Sequence, residues 1–276
     1  MLECNFSGKL RFSLGLSWFK DSCRTLKLQP LSFPGIVIFS LLVSMMLSGI
    51  PLIGTLLASL WMPYASVMTG FAARDALDGR VPAYYTLVAI IRDKASRYPL
   101  LILGLLASVW MEIDMLVFEW LGRGDLDQWK ISSSGVDMAS ITGNFPLTAF
   151  IVAFALYVPI LMMTLFAPLL IVQNRQKVGK SLFYSFFGVL RGIRPIIGWL
   201  VCTTILSSAV FFLLEMLFIG IGLPQGFAFL APLVVALFSA VCQAGVWVMF
   251  RDIFAGSNPD GTMPDDLTPT DDGSVK

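Results

Sequence analysis

Long hydrophobic runs dominate this chain, and short polar segments divide them into six. They cover about residues 31–49, 52–73, 99–121, 146–173, 195–219 and 227–250. About 20 apolar residues in a helix cross a hydrocarbon layer, so we predict an all-α fold with six transmembrane helices. The fourth run is longer than a layer of ~30 Å needs at ~1.5 Å per residue. We expect tilt, or a kink at Pro159 or Pro168, to absorb the excess.

Composition agrees with this pattern. Hydrophobic residues make up 57% of the 276 residues, charged residues 13%, and the mean hydropathy is +0.79. Soluble domains carry about 25% charged residues, so a soluble fold could not bury this many apolar side chains. The chain is therefore predicted to be a polytopic membrane protein with the lipid bilayer as its main partner.

Lysine and arginine are distributed unevenly between the polar segments. Five lie before residue 31, five in segment 74–98 and five in segment 174–194, whereas segment 122–145 holds two. Cytoplasmic segments carry an excess of Lys and Arg. We predict that both termini are cytoplasmic, that the membrane is the inner (plasma) membrane of a bacterium, and that the basic segments bind anionic phospholipid headgroups.

The segment from Leu16 to Gln29 has an amphipathic pattern. Apolar residues recur at helical spacing with basic residues on the other side: Leu16, Phe19, Cys23 and Leu26 against Lys20, Arg24 and Lys27. This pattern is typical of a helix in the membrane interface, with Trp18 at headgroup level. A cytoplasmic helix packed on its own protein is the alternative.

The same order of proline, apolar runs and polar residues occurs three times along the chain. An aromatic or large apolar residue stands 12 residues before a proline that precedes an apolar run: Trp18 and Pro30, Leu87 and Pro99, Phe183 and Pro195. Each unit closes on a polar exit, at Arg74-Asp75, Asn174-Arg175 and Arg251-Asp252.

We predict three parallel repeats, at about 16–79, 82–179 and 180–256, each a short amphipathic interfacial helix followed by two spans. Independent punctuation by helix starts and charge bias is the alternative. The tail, 257–276, has no apolar periodicity and is predicted to be a disordered cytoplasmic segment.

This layout resembles a poorly described family of bacterial six-span inner-membrane proteins. The similarity rests on Gly15-Leu16-Ser17-Trp18-Phe19, Pro51-Leu52-Ile53-Gly54, Met68-Thr69-Gly70, the segment from Ala73 to Gly79, and Phe166-Ala167-Pro168-Leu169. More distantly, the chain is similar to the membrane domain of some glycerophosphodiester phosphodiesterases. The resemblance implies an integral inner-membrane location and no established activity, and the catalytic barrel of those phosphodiesterases has no counterpart here.

The usual tools of catalysis are missing. The chain has no histidine, and its four cysteines form no metal-type or redox spacing. No phosphate-binding or dinucleotide fingerprint occurs. We therefore predict no catalytic residues, no cofactor, no metal site and no nucleic-acid partner. Gly188 and Gly192 form a G-x-x-x-G pattern that indicates close helix packing.

Ionisable residues inside spans are the remaining functional candidates. They are Glu112, Asp114, Glu119 and Glu215. Glu119 and Glu215 each stand 20 residues after a span-opening proline, which puts them near the outer headgroups. Glu112 and Glu119 share a helix face and could line an outward-facing crevice, whereas Asp114 lies about 200° from Glu112.

Two functional hypotheses follow from these features. The first is a non-enzymatic accessory, scaffold or lipid-interacting protein, with Trp18, Arg74 and Arg251 as lipid-headgroup anchors and an unknown membrane-protein partner. The alternative is a small transporter or channel that uses the intramembrane acids. An enzyme is the least favoured class.

Overall fold

The computed structural model describes residues 12–82, 85–129, 131–132, 135–136, 138–223 and 225–254. The predicted disordered tail, 257–276, lies outside these ranges. Within them the chain forms ten helices: α1 (Leu14–Leu28), α2 (Ser32–Ser48), α3 (Gly54–Leu77), α4 (Tyr85–Arg92), α5 (Lys94–Leu126), α6 (Met138–Gly143), α7 (Leu147–Thr164), α8 (Ala167–Gln173), α9 (Val178–Gly220) and α10 (Gly226–Phe254). A pair of two-residue antiparallel strands, β1 (Ile131–Ser132) and β2 (Gly135–Val136), lies between α5 and α6.

The all-α class is confirmed, and so is the abundance of apolar helices. Five helical segments are long and apolar enough to cross a membrane: α3, α5, α7 with α8, α9 and α10. The first predicted span, α2, has 17 residues and qualifies only together with α1, from which it is bent by 100°. The described chain thus offers five such helices, or six if α1 and α2 count as one broken span.

The long helices pair into three hairpins, α2–α3, α5–α7 and α9–α10. In each hairpin a glycine lies at the turn end (called the far end below), away from the polar exits, where the two helices contact each other. A Cβ added at Gly54 would lie 2.4 Å from the Ser48 carbonyl oxygen, and one at Gly226 would lie 2.7 Å from the Phe218 ring. In the second hairpin, a Cβ at Gly122 would contact Ala149 at 3.4 Å.

In α2, α3 and α9, burial is concentrated at the end of the hairpin away from the turn, whereas the buried residues of α7, Ala149 and Ala153, lie near the turn. The last buried residue of α2 is Ser40, and α9 has no buried residue after Thr203. In α3 the buried residues instead cluster in its final half, from Pro63 onwards. The common hydrophobic core therefore lies at the end that carries the polar exits.

Aromatic rings join the closing helices in this core. Phe71 of α3 packs edge-on against Trp247 of α10, with ring centroids 5.9 Å apart. Phe166, which precedes α8, packs against Phe250 of α10 at 6.3 Å. Every residue from Phe166 to Gln173 is buried. The ends of α3, α8 and α10 thus meet at the centre of the bundle.

Two of the three repeat prolines lie inside a helix and do not separate an amphipathic helix from the span that follows it. Pro30 lies in the break between α1 and α2, but Pro99 lies inside α5 and Pro195 inside α9. Helix α5 starts early because the Asp93 carboxylate caps the N–H groups of Ala95 and Ser96.

The third amphipathic segment is therefore not a separate helix. Helix α9 runs for 43 residues through Pro195, which removes only one hydrogen bond from the helix. In the second unit the short helix α4 has eight residues and ends just before Asp93. Only the first unit has both a 15-residue helix and a sharp bend before its first apolar helix.

The fourth apolar run breaks beside Pro168. Helix α7 passes through Pro159 and ends at Thr164, and Pro168 stands in the first turn of α8. Ser185 Oγ of α9 donates to the Met162 carbonyl oxygen at 2.8 Å and accepts from the Phe166 N–H at 3.0 Å. One hydroxyl therefore supplies partners for backbone groups on both sides of the break.

Helix α1 packs through a face that the sequence pattern did not indicate. Its buried residues are Gly15, Trp18, Ser22 and Thr25, which contact α9 and α10. A Cβ at Gly15 would lie 2.4 Å from the Pro195 carbonyl oxygen. The predicted apolar face is left at the edge of this contact, with Leu16 exposed and Cys23 half-buried.

Candidate functional site

Trp18 and Asp252 form the centre of a polar cluster between the first and last described helices. The indole Nε1 of Trp18 donates to Asp252 Oδ2 at 2.7 Å. The other carboxylate oxygen, Oδ1, accepts from Arg251 Nε at 2.8 Å. Trp18 has no exposed surface. The third polar exit is therefore tied directly to the start of the chain, across 234 residues of sequence.

Two further contacts extend this cluster along α1. Arg251 also pairs with Asp21, at 3.4 Å. One turn further on, Ser22 Oγ donates to the Trp18 carbonyl oxygen at 2.6 Å and accepts from Trp199 Nε1 at 3.3 Å. The hydroxyl of Ser22 thus joins α1 to α9, while Trp18 and Asp21 join it to α10.

The middle exit is tied to the second unit in a comparable way. Arg175 pairs with the Asp93 carboxylate, which also accepts the N–H groups of Ala95 and Ser96 at 3.1 Å. Burial alone would raise the pKa of Asp93, but the hydrogen bonds from Ser96 and Ala95 and the charge of Arg175 outweigh it and lower that pKa. The charged form of Asp93 is therefore the one that the fold stabilises.

The first exit is closed on itself. Arg74 donates from Nε and Nη2 to Asp75 Oδ1, at 3.0 and 2.8 Å, and its guanidinium lies over the Phe71 ring at 5.0 Å. Asp75 is 3% exposed. Two N–H donors on one carboxylate oxygen, over an aromatic face, hold the guanidinium in one place.

The three predicted headgroup anchors are placed differently. Trp18 is fully buried on protein and Arg74 is nearly so, because both are held by carboxylates inside the bundle. These positions do not correspond to headgroup contacts. The Arg251 side chain is 44% exposed, so a phosphate could reach it beside Asp252.

The four predicted intramembrane acids do not converge on one site. Glu112, Glu119 and Glu215 are exposed on the protein surface, on α5 and α9, and Asp114 is half-buried. An open recess of about 440 Å³ is lined by α5 residues that include Glu119 and Arg123, but not Glu112. The predicted pairing of Glu112 with Glu119 in one crevice therefore has no counterpart in this recess.

Asp114 is the acid with the least satisfied carboxylate among the described residues. Its Oδ1 is buried without a hydrogen-bond partner, and the same holds for Trp110 Nε1, one turn earlier on α5. Unsatisfied buried polar atoms each cost about 1–3 kcal/mol. Trp110 and Asp114 are thus the pair in the apolar part of α5 that lacks a structural explanation.

Glycines of the predicted G-x-x-x-G pattern do mediate close packing. A Cβ at Gly188 would lie 2.5 Å from the Phe254 ring, and one at Gly192 would lie 2.8 Å from Ile253 Cδ1. The pattern therefore packs α9 against the end of α10 within the same chain.

Several polar residues of this region were missed from sequence. Asp93 had a local signal, since an aspartate before an apolar helical run is a common N-cap. Asp252 was noted only as part of an exit, and nothing local links it to Trp18. Gln173 and Gln176 are each 7% exposed, with side-chain oxygens that lack a partner in the described structure.

Comparison of the chain with family models, with curated proteins and with solved structures gives no match. The predicted resemblance to six-span inner-membrane proteins stays a prediction. Among the described residues, no three Cys, Asp or Glu side chains lie together as a metal site would require.

Proposed function

We propose that the protein is a non-enzymatic, multi-pass protein of the bacterial inner membrane that acts on the lipid around it as an accessory element. The observation that carries this proposal is the uneven burial. Each hairpin is anchored in a common core at its exit end and leaves apolar faces at its far end. Such faces are filled by lipid, because acyl chains are as apolar as the side chains that they meet.

The far halves of α5 and α9 illustrate this arrangement. Between Ser108 and Gly122 no residue of α5 is buried, although ten of these thirteen residues are apolar. In α9, Ile205 and Leu213 are 64% and 65% exposed. A protein that used this region for packing against its own helices would bury such side chains.

Charge supports an orientation with the common core towards the cytoplasm. The exits and the basic segments lie at that end, and both described ends of the chain lie there as well. We propose that three parallel hairpins enter the membrane from the cytoplasmic side.

Helix α1 supports lipid contact at the cytoplasmic surface. Its buried face, formed by Gly15, Trp18, Ser22 and Thr25, packs on α9 and α10. Lys20, Arg24 and Lys27 are exposed on another face. Each such cation near an anionic surface contributes about 1 kcal/mol of attraction. A helix held sideways by its own protein could thus hold anionic headgroups against the bundle.

Lipid retained during purification tests this proposal. Phospholipid per protein would be measured by mass spectrometry after extraction in a mild detergent. We expect bound anionic phospholipid, and a decrease of several-fold in the triple variant K20Q/R24Q/K27Q. The variant K20R/K27R keeps the charges and is the matched control. Equal retention in both variants, or no retained anionic lipid, would refute the proposal.

A transporter or channel is the second candidate, and the unsatisfied pair of Trp110 and Asp114 favours it. A half-buried carboxylate with a partnerless oxygen, on an apolar helix, is a recognised place for a proton or cation to bind. Flux of protons and monovalent cations in proteoliposomes tests it. We expect D114N to abolish flux if this candidate is right, with E112Q as the exposed control; no flux with the parent protein rejects it.

A further inference from the structure

The turn between α2 and α3 differs from an aqueous loop. No charged residue occurs from Leu31 to Ala73. The turn itself exposes apolar side chains, with Ile50 40%, Leu52 104% and Ile53 50% exposed. Exposed turns in water are usually built from Gly, Asn, Asp and Ser, and this one presents branched aliphatic side chains instead.

Most backbone N–H groups of this turn have hydrogen-bond partners within the chain. Four of the five N–H groups from Gly49 to Gly54 donate to carbonyl oxygens within the turn or the end of α2, and the exception is the N–H of Leu52, whose φ is +68°. Pro51 has no N–H to satisfy. Ser48 Oγ donates to the Met45 carbonyl oxygen at 2.9 Å. A segment in hydrocarbon must satisfy its backbone groups within the protein, and this turn does so for each of its N–H groups except that of Leu52.

Helix lengths place the turn at a shallow depth. Tyr64 of α3 donates its hydroxyl to the carbonyl oxygen of Arg97 on α5, at 2.8 Å, so these two residues lie at one level. Arg97 is the last basic residue before the apolar part of α5 and marks the cytoplasmic headgroup region. From Tyr64 to the start of α3 at Gly54 is only ten residues, about 15 Å.

The other arm of the hairpin, α2, is longer but still shorter than the hydrocarbon layer. Helix α2 begins just after the 100° bend that follows α1, and its 17 residues extend about 26 Å. The hydrocarbon layer is about 30 Å thick. By contrast, α5 continues for about 44 Å beyond Arg97, and α9 for about 39 Å beyond Arg194.

We infer that the α2–α3 hairpin does not cross the membrane: its turn, Gly49–Ile53, ends among the acyl chains, while the other two hairpins cross completely. The occupant of its exposed apolar surface is the hydrocarbon of the bilayer. The number of spans becomes four, and both ends of the chain stay on the same side. The hairpin then enters one leaflet of the bilayer as an apolar wedge, from the side on which the common core lies.

Single-cysteine labelling tests this inference. In a variant that lacks the native cysteines, one cysteine is introduced at Leu52, or at Gly124 or Leu223 as controls in the other two hairpins. Intact cells are treated with a membrane-impermeant maleimide. We expect at least tenfold less labelling of L52C than of G124C and L223C, and equal labelling of all three in detergent.

The same variants locate the turn by depth. A bimane fluorophore on L52C, in liposomes with spin-labelled lipids, should be quenched more by a label deep in the acyl chain than by one at the headgroup. Ready labelling of L52C in cells, or stronger quenching at the headgroup, would overturn the inference. So would protection that persists in detergent, because a second protein chain would then cover the turn.

The controls separate this inference from the proposed orientation. If G124C and L223C react only in inverted vesicles, the orientation is wrong. L52C should remain unreactive from both sides in either case, because its protection comes from depth alone.

Discussion

The contact between α1 and α9 depends on the absence of a side chain at Gly15. A Cβ there would lie 2.4 Å from the Pro195 carbonyl oxygen and 2.8 Å from the Trp199 nitrogen. Both are backbone atoms of a continuous helix, so neither can rotate away. The substitution G15A must therefore move α1 outward by about 1 Å, since ordinary contact with a Cβ begins at 3.4 Å.

The expected cost follows from two opposing effects. Overpacking of a tight contact costs about 1–3 kcal/mol, and alanine in place of glycine in a helix returns up to about 1 kcal/mol. We expect G15A to lower the free energy of unfolding by about 1–2 kcal/mol. The matched control is G35A near the start of α2, where an added Cβ meets nothing within 4 Å. That variant should be neutral or more stable by about 0.5–1 kcal/mol.

Unfolding of the purified protein in mixed micelles, with increasing SDS and tryptophan fluorescence as the signal, measures both variants. Trp18 and Trp199 lie at the contact and report on it directly. Hydrogen exchange of α1 should also become faster in G15A. If G15A and G35A change stability equally, α1 does not pack on α9 in the way described here, and its position would depend on lipid alone.

Three further substitutions test individual contacts. W18F removes the donor to Asp252 and should cost about 1.5–3 kcal/mol in the same unfolding assay, whereas W120F, at a site that is 73% exposed, should change little; similar losses would contradict the buried hydrogen bond. D93N should remove a pH-dependent part of stability: the pKa of Asp93 is lowered in the folded protein, so its contribution is present above about pH 4 and is lost as pH falls further. Parent and D93N unfolding curves recorded between pH 7 and pH 3 should therefore converge at the acid end, with exposed D125N as control, and a constant gap would disprove the assignment. D114L should stabilise the protein by about 1 kcal/mol because it removes a half-buried carboxylate whose Oδ1 is buried without a partner; a loss of stability would mean that Asp114 has a partner.

The helices could be located from sequence because their signals are local. Apolar runs and turn residues gave the ends of α2 and α10 within a few residues. The positions of Pro99 and Pro195 did not predict where α5 and α9 begin, because both prolines lie inside those helices. Asp93 starts α5 before Pro99, and α9 continues through Pro195 without a break. A proline restricts its own residue, whereas a helix start depends on the cap that precedes it.

The contacts of α1 could not be predicted in the same way. The periodicity of α1 separates apolar from basic residues, but the face that packs on the other helices is a different one, which includes Gly15 and Ser22. Such a face is selected by how closely another backbone approaches, and that approach depends on α9, more than 150 residues away. The hydrogen bond from Trp18 to Asp252 depends in turn on how α1 packs against α9.

The closing helices bear on the predicted repeat in a way that does not depend on its prolines. Helices α3, α8 and α10 close the three predicted units, and their ends form the shared core through Phe71, Phe166, Trp247 and Phe250. The opening helices α2, α5 and α9 bury fewer of their residues. The closing helices thus share one core, and the duplication itself stays a prediction. In the inferred arrangement the α2–α3 hairpin is the exception: the other two hairpins supply four spans and this one supplies none.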